Sequence, residues 1–194
     1  MVRTLSTPPT VRAGVISGSP QPVLSAGEGL VLRPWEAGDA PVFLSAYQDE
    51  ELRRWHTRRP GSEAQVREWF DRYGEDWRNE KGAHWAVART EGEVLGRIAT
   101  GSWNFDDGLA GVGYWVLPAA RGAGVATAAV HALSGWALDG IGFHRLQLEH
   151  STRNHASCRV ATKAGYLLEG ILRGAAVHDD GRHDMHLHAR VREA

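Results

Sequence analysis

A chain of 194 residues, 42% hydrophobic and 23% charged, is long enough for one well-buried domain and too apolar for wholesale disorder. Its net charge of -1 provides no general basic field for nucleic acid, and no run of about 18 apolar residues is present to cross a bilayer. A single cysteine, Cys158, excludes an internal disulfide framework and a cysteine-rich zinc site, which fits a reducing cytoplasm.

Residues 1–28 are rich in Ser, Thr, Pro and Gly, and the stretch Ala13-Gly14-Val15-Ile16 is too short for a secretory signal. Composition therefore predicts a flexible leader over 1–28 and one folded domain over 29–194. Leu30-Val31-Leu32-Arg33 reads as a first strand stopped by Pro34, and Asp39 is placed to cap a helix opening at Ala40-Pro41. Val66, Trp69, Phe70, Tyr73 and Trp77 share one helical face, so 62–79 is a helix with Ser62 as its cap. The period then changes to two. Segments 83–90 and 94–103 bracket Glu91-Gly92-Glu93 as a hairpin, and 109–117 is a third strand ending at Pro118. Val125, Ala129, Ala132, Leu133 and Trp136 make a further helical face to about Leu138. A strand over 144–150, a short helix over 154–164 ended by Gly165, and strands over 166–173 and 183–191 complete the chain. With no internal repeat and no linker after residue 30, this is one α+β or α/β unit.

The chemistry is concentrated where a strand meets a helix, in Arg121-Gly122-Ala123-Gly124-Val125-Ala126. Glycines at 122 and 124 allow a tight turn and a close approach by a ligand. The first amides of the following helix lack internal acceptors, and the helix dipole adds positive potential there. That combination suits a pyrophosphate, with the Arg121 charge beside it. The dinucleotide fingerprint fails because Thr127 stands where Gly or Ala is needed, and the nucleoside-triphosphate loop fails because the chain has no Gly-Lys pair.

Arg121-x-x-Gly124-x-Ala126 resembles the Gln/Arg-x-x-Gly-x-Gly/Ala signature of the GNAT N-acetyltransferase superfamily. Leu32-Arg33-Pro34, Gly113 to Pro118, His144-Arg145-Leu146, Asn154-x-x-Ser157 and Lys163 to Gly170 are similar, in the same order, to its RimJ/RimL-like branch, which acetylates ribosomal-protein N-termini. The resemblance covers about residues 30–191. It implies a mixed, mostly antiparallel sheet of six to seven strands flanked by about four helices, splayed open beside the glycine segment. It also implies acetyl-CoA as co-substrate: backbone at Val116 and Leu117 meeting pantetheine and the thioester carbonyl, and Arg121, Gly122, Ala123, Gly124, Val125 and Ala126 taking the pyrophosphate. By position, Asn154 would contact pantetheine or support the leaving group, and Ser157 would serve the departing CoA sulfur by hydrogen bonding or water relay. As residues alone, Asn154 also reads as a helix cap and Ser157 as a first-turn serine.

Two departures from the family pattern matter. The tyrosine that many members use as general acid falls near Ala161, and a frequent acid falls at Gly111. Asp106, Asp107, His84 and Glu149 are candidate replacement bases, and a missing strong base favours an α-amine acceptor over lysine. Residues 40–80 and the tail are expected to form the acceptor pocket, with some of Trp55, Trp69, Trp77 and Trp103, while Arg97 could face a succinyl or other acyl group. His178, His183, Asp184, His186 and His188, with His144 or His150, invite a metal reading, but spacing shows no convergence and no metal is expected. Cys158 reads as helix packing. The arginine pairs 53–54 and 58–59 read as a solvated face, so neither nucleic acid nor membrane is expected as a partner; a homodimer is compatible. The sequence thus points to transfer of an acetyl group to a primary amine, on a protein N-terminus or a small molecule. The alternatives are another acyl-CoA donor or a non-catalytic CoA-binding regulatory module.

Overall fold

The computed structural model describes residues 7–27 and 29–193. Eight strands form one sheet: β1 (Leu24–Ser25), β2 (Leu30–Pro34), β3 (Gly82–Arg89), β4 (Val94–Asn104), β5 (Leu109–Val116), β6 (Arg145–Ser151), β7 (Leu167–His178) and β8 (Gly181–Val191). Their order is β1-β2-β3-β4-β5-β6-β8-β7, and only β5 and β6 run parallel. Five α-helices accompany them: α1 (Ala40–Ala46), α2 (Glu50–Trp55), α3 (Glu63–Arg78), α4 (Val125–Gly135) and α5 (His155–Lys163).

The α+β class is as the sequence indicates, but six to seven strands become eight and four helices become five among the described residues. The additions are the elements too short to show a period. β1 has two residues, and α2 has a single buried apolar residue, Leu52, with Asp49 accepting the Leu52 amide at 2.8 Å as its cap. Asp39 corrects a second expectation: its carboxylate does not cap α1 but accepts from the Arg33 guanidinium at 2.7 and 2.9 Å and from the Glu36 amide at 2.9 Å. Ser62 does cap α3, accepting the Gln65 amide at 3.2 Å.

The leader is a third correction, over its described part 7–27. Val11 and Ile16 are each 1% exposed, and Glu80 accepts the amides of Gly14, Ile16 and Ser17 at 2.8–3.0 Å. Trp77 and Trp85 donate their indole N–H groups to the Ser19 and Pro22 carbonyls. Composition missed this because the segment has no core of its own; it borrows acceptors and apolar walls from α3, β3 and the β4–β5 turn.

β3 carries Ala83, Trp85, Ala86, Val87 and Ala88, all buried, because packing covers both faces of the sheet. On one face Val130 and Leu133 of α4 and Ala161 of α5 meet Trp85, Ile98, Leu146 and Leu148. On the other, α1 and α3 enclose an aromatic cluster in which Phe43 packs edge-on against Trp115 at 5.5 Å and Phe70 at 5.3 Å. Phe43 is fully buried, so its truncation to alanine costs about 3–5 kcal/mol. These two layers flank β5 and β6 where the two strands part.

Candidate active site

β5 and β6 pair only from Leu109↔Arg145 to Val112↔Leu148. Beyond that point β5 stays with β4 as far as Gly96↔Val116, while β6 stays with β8 as far as Ser151↔Met185. The sheet therefore opens in a wedge. A cleft of about 500 Å³ fills the opening, with 113–116 on one wall, 148–151 on the other, and the starts of α4 and α5 at its mouth.

Of the cofactor-contact candidates, Val116, Arg121, Gly122, Gly124, Val125, Ala126 and Asn154 line this cleft, and Ala123 and Leu117 do not. Leu117 is corrected for a definite reason: its amide donates to the Leu95 carbonyl at 2.8 Å and its side chain packs on the aromatic cluster. Strand alternation then turns the Val116 backbone to the open side. Gly122 and Gly124 have φ of +78° and +80°, and a Cβ at either would meet nothing within 4 Å. Glycine is required there by the left-handed backbone, and the space beside it lies open to a ligand. Gly124 caps α4, whose first internal bond runs from the Ala128 amide to the Gly124 carbonyl. The amides before Ala128 are free to meet an anion. Arg121 departs from expectation. Its guanidinium pairs with Asp49, whose carboxyl it holds below the usual range, and with Glu51 at 2.9 Å. Arg121 thus ties the loop to α2, which leaves the backbone amides at the start of α4 as the groups open to an anion.

Asn154 caps α5, its Oδ1 accepting the Ser157 amide at 3.0 Å, so the helix-cap reading holds whatever else the side chain touches. Ser157 projects into the cleft and shares a hydrogen bond of 2.8 Å with the Tyr114 hydroxyl. Burial pushes Tyr114 up to about 12, opposed in part by that hydrogen bond. Tyr114 is the residue that sequence reasoning missed. It lies 43 positions from Ser157 on a different element, and only the alternation of β5 hints that it shares a face with Val112 and Val116.

The candidate bases separate cleanly. Asp106 and Asp107 lie in the β4–β5 turn, outside the cleft lining, with Asp107 accepting from Asn104. His84 lines a second cavity of about 690 Å³ with His56, Trp55, Trp69, Tyr73, Arg72 and Arg97. Burial and the Arg97 charge depress His84 to about 2 and His56 to about 4, which makes both very weak bases. Glu149 alone of the four lines the cleft. Trp55 and His56 border both cavities, so the two are adjacent. Trp77 and Trp103 fall outside the expected acceptor pocket: Trp77 packs on Trp85 and Trp136, and Trp103 on Phe105 and Phe143. Arg97 faces the second cavity rather than the thioester end, donating to His84 Nδ1 at 2.8 Å.

The histidine-rich tail divides in two. His183 is buried between Ser151 Oγ at 2.8 Å and Asp180 Oδ1 at 2.7 Å, with His178 stacked on it. His186 and His188 turn instead towards His150, while Asp184 accepts the Gly174 amide and His144 is exposed near the start of β6.

Residues 29–167 match the model of the acetyltransferase (GNAT) domain. The chain belongs to the GNAT acetyltransferase family. Members of this family use acetyl-CoA, and the chain is accordingly an N-acetyltransferase that moves an acyl group from the thioester to an amine. A curated relative, the uncharacterized N-acetyltransferase YoaA of Bacillus subtilis (strain 168), is 22% identical over 173 residues, covering 88% of this chain and 97% of its own. Among solved structures, the ribosomal-protein-S5-alanine acetyltransferase of Vibrio fischeri aligns with a TM-score of 0.80 at 18% identity, over 89% of this chain and 98% of that one. Mycobacterium smegmatis RimJ, in complex with CoA-disulfide, aligns with a TM-score of 0.77 at 23% identity, over 88% and 86%. The fold is thus the GNAT fold that these solved acetyltransferases share. No helix among the described residues is long and apolar enough to cross a membrane.

Proposed function

We propose that this GNAT chain acetylates the α-amine of a protein or peptide N-terminus, with the CoA diphosphate on the 121–126 amides and pantetheine along the open side of β5 near Val116. The amine enters from the second cavity past Trp55 and His56, and attacks the thioester carbonyl directly. The tetrahedral intermediate collapses with the thiolate leaving towards Ser157, whose hydroxyl is oriented by Tyr114. Glu149, on the opposite wall, takes the ammonium proton directly or through water.

One observation carries the choice of acceptor: both histidines at the amine entrance are depressed, to about 4 and about 2. Such weak bases do little to deprotonate an amine. An α-amine with a pKa near 8 is already about 10% neutral at pH 7, whereas a lysine near 10.4 is neutral to only about 0.04%. The roughly 200-fold advantage favours α-amines. Arg97 Nε is buried without a partner beside this cavity, which supports a carboxylate among the first residues of the acceptor.

The test is thiol release from acetyl-CoA with matched peptides, one with a free N-terminus and no lysine, the other N-terminally blocked with one lysine. Turnover with the first and not the second is expected. The reverse preference would reject the proposal, and CoA binding without turnover for any amine would support a regulatory module instead. Strand β7, at the edge of the sheet, exposes Leu167, Leu168, Ile171 and Val177. An apolar edge of this kind supports pairing of two copies, and Leu168→Glu should then yield a monomer by light scattering.

A further inference from the structure

Beneath α5 lies a group of side chains to which the proposed reaction gives no role, bordering the wedge only through His150. His150 on β6 lies opposite His186 on β8, and Leu148 lies opposite His188, so the three imidazoles share the sheet face covered by α5. Cys158 comes down from α5 onto them, its Sγ 3.9 Å from His188 Nε2. One ligand atom from each of His150, Cys158, His186 and His188 lies within 4.8 Å of the other three. His150 is 5% exposed and His188 1%, while Cys158 and His186 are half-buried.

Hydrogen bonding fixes which ring nitrogens are available. His150 Nδ1 donates to the Ser151 carbonyl at 2.8 Å and His188 Nδ1 to the Tyr166 carbonyl at 3.4 Å. Each ring therefore holds its proton on Nδ1 and turns the Nε2 lone pair inward, the tautomer that backbone carbonyls impose on metal-bound histidine. His150 Nε2 and His186 Nδ1 are buried with no hydrogen-bond partner. Leaving a buried polar atom unsatisfied is costly enough that two in one cluster call for an explanation. A cation receiving both lone pairs supplies it.

We propose that His150, Cys158, His186 and His188 form a closed, four-ligand site for a zinc-like divalent cation. Three nitrogens and one thiolate match the ligand set of tetrahedral zinc, with no open position, which makes the site structural. The edges of such a tetrahedron are about 3.3–3.8 Å, so the side chains need only small rotations to close on the ion. Cys158 binds as thiolate, releasing its proton to solvent. The ion would pin α5 to β6 and β8, and so hold Ser157, the neighbour of Cys158, at the wall of the cleft. His150 also borders the cleft, but the site needs no bound acetyl-CoA and stands or falls independently of the acceptor assignment.

The full chain, stripped with chelator, is titrated with Co²⁺ as a spectroscopic substitute for Zn²⁺. Expected is one equivalent bound with the visible bands of tetrahedral cobalt, a thiolate-to-cobalt charge-transfer band, displacement by Zn²⁺, and a higher melting temperature with Zn²⁺. Cys158→Ser should abolish the charge-transfer band and weaken Zn²⁺ binding by more than the roughly 10–100-fold that losing an outer-shell partner brings. His188→Gln should alter the visible bands while keeping the charge transfer. An octahedral cobalt spectrum in the unsubstituted chain, or Zn²⁺ affinity unchanged by Cys158→Ser, would overturn the site and assign any binding to exposed side chains such as Asp179 and Asp180.

Discussion

Tyr114 and Ser157 offer a sharp test, because two roles for the tyrosine predict different arithmetic. At 2.8 Å from Ser157, its hydroxyl could donate a proton to the leaving thiolate through the serine, or it could simply hold the serine in place. The two roles differ in energy. Tyr114 is pushed up to about 12 by burial, and an ordinary thiol titrates near 8.5. Net transfer from the tyrosine to the thiolate would run uphill by about 3.5 pKa units, or nearly 5 kcal/mol. Orientation is the cheaper role. Ser157→Ala should then lower kcat by about 100-fold, at the lower end of the range for a positioned proton-transfer group. Tyr114→Phe removes one hydrogen bond with a net value of about 0.5–1.5 kcal/mol, or roughly 2- to 12-fold in kcat. The double variant should be no slower than Ser157→Ala, to within a factor of about 2, since an orienting residue has nothing left to orient. Thiol release under saturating acetyl-CoA and peptide gives the four rates, and calorimetry with CoA confirms that cofactor binding is intact. Losses that multiply across the cycle would refute the reasoning and give Tyr114 a role independent of Ser157.

The other predictions address the cofactor loop, the base and acid stability. Gly124→Trp places an L-residue at φ +80°, at a cost of about 1–2 kcal/mol, and fills open space at the mouth of the cleft. CoA affinity should fall by more than about tenfold with the circular dichroism spectrum retained; unchanged affinity would remove the diphosphate from this loop. Glu149→Gln should lower kcat with little change in CoA affinity, and full activity would leave the amine proton to solvent alone. His56 and His84 are depressed in the folded chain, so the unfolded chain binds more protons over the acid range. Their contribution is whole above pH 6.5 and is lost as pH falls towards about 4 for His56 and about 2 for His84, with a slope of up to about 1.4 kcal/mol per pH unit for each. Urea midpoints should drop steadily from pH 6.5 to 4.5, less so in His84→Gln; a flat profile would contradict the buried neutral assignment.

The longer elements, and the glycine turn before α4, were legible because local rules dictate them. The one-face pattern from Val66 to Trp77 placed α3, two-residue alternation placed β3 to β5, and Gly122 and Gly124 marked the left-handed turn before α4. The colinear motifs then pointed to the family without any knowledge of contacts. Short or non-periodic segments gave no such signal. β1 and α2 are too short to show a period, and the packing of 7–27 depends on partners that lie far along the chain, such as Glu80 and Trp85.

The residues of the candidate site were likewise divided. Chain order by itself determined the helix cap at Asn154 and the presence of Ser157 one turn on, because both are properties of a few consecutive residues. Tertiary structure decided that Tyr114 meets Ser157, that Arg121 faces Asp49 and Glu51, that Leu117 serves Leu95, and that three histidines and a cysteine from three elements converge under α5. The reason is physical: periodicity tells which face a residue occupies, but only strand register and helix packing tell which other faces it meets, and one-residue changes of register reverse the answer.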